Sequence, residues 1–135
     1  MLSKKTKYGL KAMTYLARHS IGQPVLISEI SKRENIPQKF LEGILLDLKN
    51  NGLLASKKGK GGGYFLDRPA EKITVASIIR VLDGPIALLP CVSLNYYKKC
   101  DDCISEETCT LNRVMIKVRD QTLKVLEKQS LADLK

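Results

Sequence analysis

The sequence predicts a mainly α-helical protein that carries one small β-hairpin. Between residues 27 and 52, apolar residues recur at three- and four-residue spacing in two short stretches separated by a polar turn, which is the pattern of two amphipathic helices. A basic, glycine-rich segment over residues 56–64 follows directly and is typical of a hairpin. This order predicts a winged helix-turn-helix, and a later apolar stretch predicts a long C-terminal dimerisation helix.

The first helix is predicted over residues 6–19, where apolar residues recur at mixed three- and four-residue spacing. Lysines stand near its start, where positive charge opposes the helix dipole; they are Lys4, Lys5, Lys7 and Lys11. Contact with DNA phosphate would explain them, and ordinary surface exposure is the alternative. His19 is the only histidine and lies at the helix end, where we expect a capping or solvent-exposed role rather than a ligand role.

The boundaries of the next two helices are predicted from single residues. The Ser28 hydroxyl can accept a hydrogen bond from a free N–H of the first turn and so start a helix, with Ile27 and Ile30 facing the core. Residues 32–35 are then expected to form the turn. Pro37 suits the first turn of the following helix, where a backbone N–H is not needed.

The third predicted helix has one apolar face, which consists of Phe40, Leu41, Ile44, Leu45 and Leu48. Gln38, Lys39 and Glu42 fall outside this face and near the helix N-terminus. That is where a recognition helix carries the side chains that meet base edges. Gly52 follows the last turn and can adopt a positive φ there as a C-cap.

The hairpin over residues 53–66 has the composition of a wing. Its glycines let a backbone pass close to another surface, and Lys57, Lys58 and Lys60 place positive charge at its tip. A solvated basic hairpin is the alternative interpretation. Its position directly behind a helix pair favours contact with DNA phosphates or with the minor groove.

The second half of the chain is predicted to hold two helices around a loop. Thr74 would cap a helix that ends at Asp83, before a Gly84-Pro85 stop, and residues 91–109 would form a loop. In the last helix, over residues 110–128, the residues at coiled-coil spacing are Leu111, Met115, Val118, Thr122 and Val125. Little of the fold remains to cover that face, so we expect dimerisation through it rather than a purely internal helix. Leu131 and Leu134 in the tail are expected to pack back.

Charge separates the two halves of the 135-residue chain, whose net charge is +9. Residues 1–72 hold fourteen Lys and Arg against six Asp and Glu, whereas residues 73–135 hold nine against eight. The positive field on the helix-turn-helix half indicates nucleic acid as partner, and an anionic membrane surface is the weaker alternative. Because we find no signal peptide and no apolar run of transmembrane length, we expect a cytoplasmic protein with reduced or metal-bound cysteines.

Four cysteines lie within nineteen residues, at Cys91, Cys100, Cys103 and Cys109. Thiolates are soft donors that suit iron–sulfur clusters or zinc, and a metal-free thiol switch is a further possibility. The Cys100-x2-Cys103 pair also suggests a thiol oxidoreductase. That enzyme class is disfavoured, because no βαβ pattern surrounds the pair, and neither a Ser/His/Asp set nor a phosphate loop is present.

Taken together, these elements resemble the Rrf-two family of bacterial winged-helix transcriptional regulators. The matching stretches are residues 7–12 (KYGLKA), 40–42 (FLE), 48–56 (LKNNGLLAS), 61–66 (GGGYFL), 78–85 (IIRVLDGP) and 91–109. The resemblance implies a homodimer on a palindromic operator, with recognition helices in the major groove and wings in the minor groove. The residues expected to contact DNA are Lys7, Tyr8, Ser28, Gln38, Lys39, Glu42, Lys57, Lys58, Lys60, Gly61, Gly62 and Tyr64.

The resemblance also implies an iron–sulfur cluster, 2Fe-2S or 4Fe-4S, on the cysteine loop. Cys91, Cys103 and Cys109 fit the three cysteines of cluster-binding members. Some members carry a histidine ligand three residues after the last cysteine, where this chain has Asn112, a poor ligand. Either Cys100 completes the site, or the fourth position is open or filled by a non-protein ligand.

The leading hypothesis is a homodimeric DNA-binding repressor that senses iron–sulfur, redox or nitric oxide status through the cysteine loop. The expected organisation is a DNA-binding domain over residues 1–85, a sensor loop over residues 86–109 and a dimerisation helix with its tail over residues 110–135. Alternatives keep the fold but replace the cluster by structural zinc, or by a response to a thiol metabolite or a protein partner. No enzymatic activity is expected.

Overall fold

The computed structural model describes residues 2–135 of the chain. Its elements in order are α1 Lys4–His19, α2 Ile27–Glu34, α3 Gln38–Asn50, β1 Leu54–Lys57, β2 Gly63–Leu66, α4 Val75–Leu82, α5 Thr110–Lys128 and α6 Leu131–Leu134. Single 3-10 turns lie at Ala70–Lys72 and Pro90–Val92. The predicted mainly helical fold with one hairpin is confirmed. Among the described residues, no helix is both long and apolar enough to cross a membrane.

The core lies between α1, α3 and α4 and is closed by α2, the hairpin and α6. Its fully buried side chains include Met13, Leu16, Ile30, Leu41, Leu45, Leu48, Ile78 and Leu131. Leu131 belongs to the tail, and its backbone N–H donates to the Ile73 carbonyl across 2.9 Å. The expectation that Leu131 packs back is therefore confirmed, whereas Leu134 remains 39% exposed.

Helix α1 begins two residues earlier than the periodicity predicts, because Ser3 caps it. The Thr6 amide donates to Ser3 Oγ at 3.1 Å, and Ser3 Oγ donates in turn to Asp83 Oδ1 at 2.5 Å. A serine cap satisfies one of the free N–H groups of a first helical turn. At the other end, the exposed His19 ring stacks against Tyr15 with 4.3 Å between centroids.

Helix α2 corrects two predictions. It begins at Ile27 after Leu26, and no side chain caps it, so the exposed Ser28 lies within the helix rather than at its start. Residues 32–34 continue the helix, and the turn is made by Asn35, whose left-handed backbone has φ 53°. The early start follows from Val25, which exchanges two 2.8 Å backbone hydrogen bonds with Tyr64 and so fixes where the chain turns.

Helix α3 follows Pro37, which stands just outside the helix as its N-cap rather than in the first turn. Four of the five predicted apolar residues are buried. Phe40 is the exception: it is 40% exposed and packs edge-on against Tyr8, with 5.6 Å between centroids. Gly52 follows the helix with φ +78°, as predicted.

The hairpin pairs β1 and β2 in antiparallel register, from Leu54 opposite Leu66 to Lys57 opposite Gly63. Two of its glycines are required by close backbone approaches. A Cβ atom on Gly62 would lie 2.3 Å from the Lys57 carbonyl oxygen, and one on Gly63 would lie 2.3 Å from that of Val25. The hairpin therefore joins the body of the fold through β2.

Helices α4 and α5 occupy the predicted positions. The Thr74 hydroxyl caps α4 by accepting from the Ser77 amide at 3.1 Å. Helix α5 buries Asn112 and Leu123, and several apolar residues of its predicted seam stay exposed. The loop between the two helices contains one regular element, the short Pro90–Val92 turn.

Candidate nucleic-acid interface and thiol loop

Helix α3 presents Gln38, Lys39 and Glu42 as exposed side chains near its N-terminus. The buried face of the helix points the other way, into the core. These three residues are therefore free to contact a partner, and they offer an amide, an ammonium and a carboxylate. Such groups pair with base edges in the major groove.

Two of the lysines near the start of α1 make polar contacts with neighbouring helices. Lys5 Nζ lies 2.8 Å from Asp47 Oδ2 on α3, and Lys11 Nζ donates to the Glu34 carbonyl at 2.6 Å. These two lysines therefore have partners within the fold. Lys4 and Lys7 are exposed. Tyr8, next to Lys7, is half-buried against Phe40.

The wing places Lys57, Lys58 and Lys60 at an exposed tip together with Gly61. Two other residues predicted to contact DNA lie deeper. Gly62 is buried, and Tyr64 is half-buried against the core. Their positions are explained by the packing of the wing, whereas the lysines carry its exposed charge.

The cysteine loop is attached to α5 through Asn112. In the sequence, this position stands out only because it lacks the histidine ligand of some family members. Asn112 Nδ2 donates to Cys91 Sγ at 3.3 Å, and the Asn112 backbone N–H donates to Cys109 Sγ at 3.4 Å. The Cys109 side chain thereby caps α5. Asn112 is only 8% exposed, so one buried residue connects two of the four thiols.

Arg119 holds the same loop two turns further along α5. Its Nη1 donates to the Val92 carbonyl at 2.8 Å, and Val92 is 1% exposed. The 3-10 turn Pro90–Val92, which bears Cys91, is therefore fixed to α5 at two points. The seven-residue separation of Asn112 and Arg119 places both on one helix face, which is the signal in the sequence that could have indicated them.

Cys100 lies close to Cys91. A hydrogen bond with the Cys91 side chain, together with desolvation and nearby negative charge, raises the pKa of the Cys100 thiol. The Cys103 amide donates to the Cys100 carbonyl at 3.1 Å and forms a tight turn. All four thiols are free and half-buried.

Tyr97 links two segments of this loop. Its hydroxyl donates to the Glu106 carboxylate, and this hydrogen bond, with smaller contributions from desolvation and the loop charges, raises the pKa of Tyr97 to about 12. The contact joins the segment before Cys100 to the segment before Cys109.

The four thiols are chemically suitable ligands for an iron–sulfur cluster, but they are not arranged as a preformed metal site. Four soft donors lie on one short loop, which suits iron or zinc. Within residues 2–135, however, no three His, Cys, Asp or Glu side chains are grouped so that they could hold a metal ion. Binding a metal there would require the loop to rearrange.

An open groove with a volume of about 540 Å³ lies between α4, the segment after it and α5. Apolar side chains predominate in its lining, which includes Ile79, Pro85, Leu88, Val118 and Leu126. The groove is continuous with the exposed apolar side of α5 through Val118.

The sequence pattern of the family described as "Rrf2: Iron-dependent Transcriptional regulator" matches residues 2–135. The chain belongs to this family. It is 39% identical, over 99% of its length and 91% of the relative's, to an rrf2-like HTH-type transcriptional regulator of Rhodobacter capsulatus.

Solved structures agree with this Rrf2 assignment. The structure of CymR, the global cysteine regulator of B. subtilis, superposes with a TM-score of 0.81 at 31% identity, covering 99% of this chain and 95% of that one. The T. potens IscR structure gives a TM-score of 0.75 at 31% identity, covering 99% and 85%. This Rrf2 protein is thus a DNA-binding winged-helix transcriptional regulator and not an enzyme.

Proposed function

We propose that this Rrf2 protein is a homodimeric transcriptional repressor. Its affinity for DNA would be controlled by an iron–sulfur cluster or by the redox state of the cysteine loop. The observation that carries the proposal is the pair of hydrogen bonds from Asn112 to Cys91 and Cys109. Through this residue, a change at Cys91 or Cys109 would act directly on the start of α5.

DNA recognition is assigned to α3 and the wing. Gln38, Lys39 and Glu42 would meet base edges of a palindromic operator, and the wing lysines would contact phosphates or the minor groove. The exposure of these groups and the positive charge of residues 1–72 support the assignment. Residues 1–85 would form the DNA-binding part of the protein.

Dimerisation is assigned to α5. Its exposed apolar residues include Leu111, Val114, Val118 and Val125, with exposed fractions of 52, 52, 37 and 60%. A second copy of α5 would cover this face and extend into the neighbouring groove. Monomeric proteins rarely leave a large contiguous apolar patch exposed.

Cluster binding is assigned to Cys91, Cys103 and Cys109, with Cys100 as the fourth thiolate. A bound cluster would supply a group that responds to iron supply, oxidants and nitric oxide. The family description as iron-dependent supports this assignment, as do the four soft donors on one loop. Asn112 would position two of the ligands and donate toward their sulfur atoms, a type of contact that tunes cluster potential.

A metal-free regulator is the second candidate. It is favoured by the absence of a grouped metal site among the described residues and by the likeness to CymR, named as a cysteine regulator. The thiol loop would then respond to a thiol metabolite or to a protein partner. Structural zinc is a further variant of this candidate.

The experiment is an absorbance spectrum with iron and acid-labile sulfide analysis on protein purified without oxygen. Visible bands with matched iron and sulfide would support the cluster, and a Cys100→Ser variant that loses the iron would identify the fourth ligand. Colourless protein without either element would favour the metal-free or zinc candidates.

DNA recognition is tested separately, so that it does not depend on the metal result. A variant with Gln38, Lys39 and Glu42 all replaced by Ala should lose its preference for a selected operator over random duplex. Since all three side chains are exposed, its thermal stability should match that of the wild type. Undiminished preference would show that α3 is not the recognition helix.

A further inference from the structure

Gly43 is an exposed glycine in the middle of α3, and nothing in the fold requires it. A Cβ atom added there would meet no heavy atom within 4 Å. Gly9 in α1 is different, since its Cβ would lie 2.1 Å from Leu82 Cδ1. Glycine in a helix interior is less stable than alanine. Gly43 therefore weakens α3 without helping it to pack.

Gly43 lies on the outermost stripe of the helix. Lys39, Gly43, Leu46 and Asn50 follow one another at four-, three- and four-residue steps, so they share one face. Leu41, Ile44, Leu45 and Leu48 occupy the opposite, buried face. The stripe is therefore the side of α3 that points away from the core.

Leu46 is an apolar side chain on this otherwise polar stripe, and it is 49% exposed. Its neighbours on the stripe are a glycine, a lysine and an asparagine. The apolar group that base edges present in the major groove is the C5-methyl of thymine. The leucine side chain is apolar like that methyl group and can make van der Waals contact with it.

We infer that Gly43 and Leu46 contribute to the specificity of DNA recognition by this chain, in addition to Gln38, Lys39 and Glu42. The missing side chain at Gly43 lets the helix backbone approach the base edges closely, and Leu46 packs on a thymine methyl. The inference rests on the proposed function, because it requires α3 to enter the major groove.

The test begins with the wild type, purified without oxygen, and a duplex library with a random core. Enrichment of one consensus sequence is expected, and its absence would overturn the proposed recognition by α3 together with this inference. The Gly43→Ala variant should bind the selected duplex about tenfold more weakly. Its Tm should nevertheless rise by about 2–5 °C, so weaker binding could not be ascribed to misfolding.

Leu46 is tested by replacing each thymine of the consensus with uracil, which lacks the methyl group. At one position the wild type should lose about threefold or more in affinity, whereas a Leu46→Gln variant should bind both duplexes alike. Leu134→Gln, at a comparably exposed leucine on α6, should respond to uracil as the wild type does.

Equal binding by Gly43→Ala and wild type would overturn the role of Gly43. A Leu46→Gln variant that still distinguishes thymine from uracil would overturn that of Leu46.

Discussion

Asn112 Nδ2 donates a hydrogen bond to Cys91 Sγ across 3.3 Å and so joins the thiol-bearing turn to the start of α5. The same residue reaches Cys109 through its backbone N–H. Arg119 adds a second attachment through the Val92 carbonyl. In the proposed function, a change in thiol chemistry at Cys91 would act on α5 through these contacts, as a local switch acts on a larger element.

Replacing Asn112 by Ala should expose Cys91 to chemical modification. The buried amide would no longer cover the thiol, and loss of one hydrogen bond should lower the free energy of unfolding by about 1 kcal/mol. The measurement is the rate of Cys91 alkylation by iodoacetamide in reduced, metal-free protein, followed by mass spectrometry. Arg113→Ala, at the exposed neighbouring position, is the control. An unchanged alkylation rate in Asn112→Ala would contradict a covering role.

The helices and the wing could largely be predicted from the sequence because their signals are local. The buried faces of α3 and α4 follow from apolar spacing, and the Thr74 cap and Gly52 turn follow from single residues. The start of α2 could not be predicted in this way. It depends on the pairing of Val25 with Tyr64, which are distant in sequence.

The residues of the candidate site likewise differ in how far they could be predicted from local sequence. The exposed residues of α3 and the wing tip are predictable, since each follows from the periodicity of its own element. The ion pairs of Lys5 with Asp47 and of Lys11 with Glu34 could not be predicted, because their acidic partners lie on other helices. The Asn112 contact with Cys91 spans 21 residues and depends on how the loop folds back.

Placing Asp at both Val118 and Val125 should convert the proposed dimer into a monomer. Both side chains are exposed in the single chain, so the charges would be tolerated in a monomer but would be buried in a dimer, where charge is strongly disfavoured. Size-exclusion chromatography with light scattering measures the mass. Lys124→Asp, on another face of α5, should leave the mass unchanged. A dimer of unchanged stability in the double variant would exclude this seam as the interface.

Replacing Lys58 by Ala should weaken binding to all DNA sequences alike. Lys58 is exposed at the wing tip, where an ammonium group would neutralise phosphate and release counterions. The slope of log affinity against log salt concentration should fall by about 1. Titrations of a random duplex at several salt concentrations measure it, with Lys128→Ala on α5 as a control of the same charge. An unchanged slope would show that this lysine does not reach phosphate.

Asp83 should stabilise the fold at neutral pH and lose this effect in acid. Burial acts to raise the pKa of Asp83, but the hydrogen bonds donated by Ser3 and Thr6 outweigh it and hold the pKa below its ordinary value. A carboxylate with a lowered pKa contributes stability above its unfolded pKa of about 4 and loses it as pH falls through the folded value.

Asp83→Asn should thus lower Tm by about 2–4 °C at pH 7, with the difference from wild type narrowing below about pH 4. Thermal melts of wild type, Asp83→Asn and the exposed control Asp67→Asn measure this difference in Tm, between about pH 2.5 and 7 in steps of about half a pH unit. A constant difference across that range would mean that Asp83 acts through packing rather than through its charge.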